Sequence, residues 1–168
     1  GSVISRGGDA GDNNDQRAWL ANLLSKPDHA FGLQFGGSVY GDRISLANGL
    51  RVQERIVAGH LVWQKEDPEV IAEVAGVRHR DEATSVVTWS HAYYVQAAWR
   101  LPGNGRLWKP YYRFEHIGVG TGDAVFATVP NLDGSTLGVR YDVSTYAAVK
   151  TEYRTWRRSA VLPRNSGG

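Results

Sequence analysis

Charged and polar residues recur at every second position through the last third of this chain. Lys109, Tyr111, Arg113 and Glu115 form one set, Arg140 and Asp142 a second, and Lys150, Glu152 and Arg154 a third. Successive strand side chains point to opposite faces, so a period of two collects each set on one side of a strand. Such a face offers two kinds of chemistry. As the lining of a water-filled pore, Lys109, Arg113, Glu115, Arg140, Asp142, Lys150, Glu152 and Arg154 would select solutes by sign and size. As partners across neighbouring strands, the same residues would form a ladder of ion pairs that fills the interior and holds the sheet. The close mixing of signs suits the ladder, and the two roles are compatible. The excess of bases over acids in this set leans a lining toward anions. Gln96, Arg100, Glu73 and His60 join it if the parity extends to earlier strands.

Other residue types offer less. His29, His60, His79, His91 and His116 lack the short recurring spacing of a metal site, and the chain has no Cys to supply thiolate. Ser90 beside His91 suggests a hydrolytic pair, but adjacent strand residues face opposite sides and cannot act on one another. Asp9, Asp12, Asn13, Asn14 and Asp15 are oxygen ligands of the kind calcium takes, without the spacing or closing Glu of an EF-hand. They read as a solvated loop. GVGTG at Gly118–Gly122 has neither the Lys nor the following helix of a phosphate-binding loop, and reads as a surface loop. The sequence therefore assigns no catalytic residue, no metal and no cofactor, and the chain reads as a non-enzyme. A net charge of +2 is too small to argue for a nucleic-acid partner.

The elements that must position these side chains are strands. Leu137, Val139 and Tyr141 alternate with Gly138, Arg140 and Asp142. Ala147, Val149, Thr151 and Tyr153 alternate with Ala148, Lys150, Glu152 and Arg154. Only 143–146 separates the two runs, which makes them a hairpin. In a small soluble barrel the apolar parity faces inward; in a membrane barrel it faces outward. The chain has 6 Trp and 8 Tyr but only 4 Phe, and rings with one polar end suit a membrane interface. That favours the outward assignment. Trp108, Tyr112, Phe114, Leu137, Val139, Tyr141, Val149 and Tyr153 then form an outer belt with Val95 and Trp99, and His116 shares their parity. No run approaches the roughly 18 apolar residues of a membrane helix, which bears on helical spans alone.

Eight strands are expected, at Gln16–Leu24, Phe31–Tyr40, Arg55–Gln64, Glu69–Arg78, Ser90–Leu101, Leu107–Ile117, Thr136–Asp142 and Ala147–Trp156. The first could equally be a short helix. The expected connections alternate between short (25–28, 65–68, 102–105, 144–145) and longer (41–53, 80–85 or to 89, 118–135). An up-and-down barrel with tight turns at one rim and loops at the other has this rhythm. Residues 1–14 read as a loop or frayed end, 15–158 as barrel strands and 159–168 as a tail. The chain contains no Met, which reads as processing, cropping or a fragment, with Gly1-Ser2 an appended remnant.

The segments AFGLQFGGSVYGDRI, YYVQAAWRL, RLWKPYYRFEHI and LGVRYDVSTYAAVKTEYR resemble consecutive hairpins of a Gram-negative outer-membrane, porin-like β-barrel. The resemblance covers about residues 15–158 and lies in the order of the pieces. It implies an all-β, antiparallel, up-and-down transmembrane barrel in an outer membrane. It also implies passive diffusion of small polar solutes, outer-membrane lipid around the wall, and a barrel-assembly machinery that inserts it. Such barrels usually finish on a strand ending in an aromatic residue, whereas this chain finishes VLPRNSGG. The expectation is therefore a C-terminal portion of a larger barrel. A soluble calyx-type barrel, with Leu137, Val139, Val149 and Tyr153 around a small apolar ligand, is the rival reading. A lipid-acting barrel enzyme using Ser90 is the third.

Overall fold

The computed structural model describes residues 17–65 and 67–160. Alternating β-branched and aromatic residues favour extended backbone, and the chain folds as β1 (Trp19–Ser25), β2 (Leu33–Ser45), β3 (Arg51–Trp63), β4 (Glu69–Asp81), β5 (Val87–Ala98), β6 (Trp108–Gly118), β7 (Asn131–Ser144) and β8 (Ala147–Ser159). Each strand pairs antiparallel with its sequence neighbours, giving one eight-stranded sheet in the order β1 to β8. The up-and-down antiparallel expectation is met. Closure is not: among the described residues nothing pairs with the outer edge of β1 or of β8, so the sheet is open.

The segment AWLANLL, equally readable as helix, is strand. Trp19 to Ser25 pairs in register with Gly41 to Phe35 of β2. The expected alternation of short and long connections does not hold. Residues 41–53 are mostly strand, because the β2–β3 ladder continues to Ser45 and Arg51 and leaves only 46–50 as a loop. Backbone pairing does not stop where the apolar side chains stop, and Asp42, Arg43, Gln53 and Glu54 simply extend the ladder in polar residues. The 102–105 turn is part of a longer link, 99–107, that carries a 3-10 turn at Gly103–Gly105. The one long loop is 119–130. Connections 46–50, 82–86 and 119–130 lie at one end of the sheet, here the loop end. Connections 26–32, 64–68, 99–107 and 145–146 lie at the other, the turn end. The extra residue Val143 bulges from β7 just before the last hairpin closes. Segment 1–14, with its acidic cluster, and 161–168 of the expected tail lie outside the described residues. Ser159, expected in that tail, ends β8.

The register divides every strand into two faces. One carries Ser90, Lys109, Tyr111, Leu132 and Thr136, which are buried. The other carries Leu23, Val57, Val74, Leu137, Val149 and Tyr153, which are exposed. The sheet curls around the first face, since one cavity of about 440 Å3 takes its walls from all eight strands, from Asn22 on β1 to Trp156 on β8. The inner face buries polar side chains along with apolar ones, while large apolar side chains of the outer face stay exposed. Thr136 is 1% exposed and Lys109 8%, while Leu137 is 60% and Tyr153 71%.

Candidate functional site

All eight charged residues singled out from the sequence lie on the inner face, because their strands pair in a register that keeps their parity together. Lys109, Arg140 and Lys150 are directly opposed on β6, β7 and β8. Arg113 opposes Thr136, which opposes Arg154, and Tyr111 opposes Gly138, which opposes Glu152. Like charges directly across a sheet repel, and the interior answers with carboxylates. Lys109 meets Glu69 at 2.7 Å, reaching over β5 to β4. Arg140 meets Asp142 at 2.7 Å, and Arg100 meets the same carboxylate at 2.8 Å. Lys150 and Arg154 both meet Glu152, each at 2.6 Å. Tyr111 donates its hydroxyl to Glu152 across β7. Gly138 makes that reach possible, since a Cβ there would overlap the Tyr111 ring.

Arg113 and Glu115 stand apart from this network. The Arg113 guanidinium lies over the Tyr94 ring, 5.8 Å from its centroid. Glu115 shares a row with His60, Glu73 and Tyr94 on β3 to β6, and the row continues through Gly134 to Trp156. Gly36 and Gly134 leave the space that the His60 ring and the Glu115 side chain fill. A Cβ at either glycine would come within 2.7 Å of that neighbour.

A third cluster, at the loop end, was not foreseen. His79 on β4 is 3% exposed. Its Nε2 meets Glu54 at 2.9 Å and its Nδ1 meets Asp123 of the 119–130 loop at 2.7 Å. A neutral imidazole donates only once, so the imidazolium satisfies both contacts. Asp123 also accepts from Thr88 at 3.1 Å, from Ser90 at 3.3 Å, and from the backbone N–H groups of Val125 and Phe126. Burial raises the Asp123 pKa, but the hydrogen bond from His79 and those backbone N–H groups outweigh it, and the carboxyl ends below its ordinary value. The GVGTG segment is thus held inward: Gly120 N–H donates to Ser90 at 3.0 Å and Val119 N–H to Asn131 at 2.7 Å. Phe126 packs edge-on against His79. Parity arguments end where a strand ends, so only the Gly-Asp turn signal at Gly122-Asp123 hinted at this return.

Ser90 spends its hydroxyl on Asp123. His91 lies on the outer face beside His116, with ring centroids 5.2 Å apart. Among the described residues no group of three or more His, Asp or Glu is placed to hold a metal ion.

Along the strands the inner face falls into three levels. Asp42, Glu54, Asp81 and Asp123 make the loop end acidic. His60, Glu73, Tyr94 and Glu115 lie about 20 Å further on, six residues at strand rise. Lys109, Arg140 and Lys150 with their carboxylates lie about 20 Å beyond Glu115 at the turn end. The outer face is banded too. Lys65 sits over Trp63 at 4.8 Å at the turn end, and Arg78 over Trp89 at 5.9 Å toward the loop end. Between them lie exposed Phe35, Val57, Leu61, Val74 and Val95. Comparison with protein-family profiles, curated proteins and solved structures finds no match to this chain.

Proposed function

We propose that this sheet is wall from a transmembrane β-barrel of an outer membrane, which lets small polar solutes diffuse passively through a charged lumen. The observation that carries the reading is the separation of faces: charge is paired on the inner face, with Lys109 buried, while Leu, Val, Trp and Tyr are exposed on the outer one. In lipid that outer face is satisfied; in water it is a large unpaired patch. The outer band supports it further. On β3 the outer parity carries no charge from Val57 to Trp63 and on β4 none from Val70 to Gly76, before reaching Arg55 and Arg78. Trp63 with Lys65 and Trp89 with Arg78 suit the two interfaces. The inner ion pairs both hold the wall and line the path. Because an unpaired backbone group in lipid costs several kcal/mol, the reading requires further strands on the free edges of β1 and β8. Lipid and polar solutes are the partners, with the barrel-assembly machinery as the route in.

The soluble calyx remains a second reading because the 440 Å3 cavity has Ala58, Ala75, Ala92, Ile117 and Leu132 in its lining. One experiment separates the two. The chain is refolded from denaturant in plain buffer and in detergent micelles, then followed by far-UV circular dichroism and by gel migration with and without boiling. A β signal that forms only with detergent is expected, with a heat-shifted band once the edges are closed. A monodisperse, cooperatively melting β protein in plain buffer would overturn the membrane reading and leave the calyx.

A further inference from the structure

We infer that the cavity inside the sheet is a binding site for an organic cation with an apolar body. Its volume of about 440 Å3 falls within the range of small-molecule sites. It exists because small residues meet at one level: Ser38, Ala58, Ala75 and Ala92 are directly opposed on β2 to β5. Larger side chains there would fill the space. The result is a smooth apolar floor.

The acidic groups over that floor are Glu73 and Glu115, and His60 and His116 also line the cavity. Glu73 and Glu115 enter from β4 and β6 on either side of Tyr94. No Lys or Arg lines the cavity. The ion pairs of the inner face lie toward its two ends, and among the described residues none involves Glu73 or Glu115. Two carboxylates thus face a cavity lined by no Lys or Arg, with His60 across from Glu73 and Arg113 stacked over Tyr94 beside it. Trp156 on β8 also lines the cavity, and an indole face attracts an ammonium or packs against an alkyl or aryl group. An ammonium held by Glu73 and Glu115 would place its apolar body on the alanine floor. A free inorganic cation would leave that floor uncovered, and an anion would meet two carboxylates.

The inference rests on the cavity alone and holds whether or not the outer face meets lipid. The full chain is folded in whichever of buffer or micelles gives the β-sheet. It is titrated with phenethylammonium and with its neutral isostere, phenethyl alcohol, by calorimetry and tryptophan fluorescence, with protein-free medium as blank. The expected result is that the ammonium binds about tenfold more tightly than the alcohol. Replacing both acids, Glu73→Gln with Glu115→Gln, abolishes that preference, and filling the floor with Ala75→Leu weakens both ligands. Equal affinity for the two probes, no binding of either, or a preference that survives in a folded double variant would overturn it. The comparison of probes on the unmodified chain decides the matter if the double variant does not fold. A failed charge preference leaves the heat-shifted band, and so the channel reading, untouched.

Discussion

Asp123 does more than any other single residue at the loop end. It joins His79, Thr88 and Ser90 of two strands to the turn at Val125 and Phe126 of the 119–130 loop. Asp123→Ala leaves His79 to Glu54 alone and takes the acceptor from the Thr88 and Ser90 hydroxyls and the Val125 and Phe126 N–H groups, so it is expected to cost about 2–3 kcal/mol, read by denaturant unfolding. The pH dependence has a definite sign. The Asp123 carboxyl sits below its ordinary value in the folded chain. Its contribution is therefore complete above the unfolded carboxylate range, near about pH 4, and is lost as pH falls through the folded value. Hydrogen exchange within 119–130 should accelerate over that acid interval in the native chain. In Asp123→Asn the acid step should be absent. An unchanged acid step in that variant would assign the effect to another group.

At the scale of the strand, the decisive property is which parity meets which solvent. Leu137 and Arg140 lie on the same strand, β7, yet Leu137 is exposed on the outer face and Arg140 is paired to Asp142 on the inner one. In the proposed membrane setting, Leu137→Arg places a charge against lipid and is expected to cost about 2–4 kcal/mol of stability in micelles. Arg140→Gln should cost less, because Arg100 remains on Asp142. Equal costs would argue that the two faces share one solvent. This period-two logic is why so much of the sheet could be read in advance. Lys109, Arg140 and Lys150 belong to one face on any antiparallel register that keeps their hydrophobic neighbours together. The outlying clusters were hidden for a physical reason. Asp123 reaches His79 across 44 residues, and Glu69 reaches Lys109 across 40. Neither meeting leaves a local periodic signature. Strand ends were misjudged for a related reason: Asp42 to Ser45 look like loop residues but pair as strand.

Across the whole sheet, support falls away toward the edges. β1 has seven residues paired on one side only, and its side chains are open on both faces: Leu20 is 68% exposed and Leu23 76%. Central strands such as β4 are paired on both sides along nearly their full length. Local stability tracks such support, so amide exchange should be fastest in β1, slower in β2 and slowest in β3 to β6. Uniform protection from β1 to β8 would mean that the outer edges are covered. The three inner levels have an electrical consequence as well. If this wall encloses a conducting path, acid gathers toward one mouth and base toward the other. Such a passage is a rectifier: cations crowd at one entrance and anions at the other, and the current it carries depends on the direction of the applied voltage.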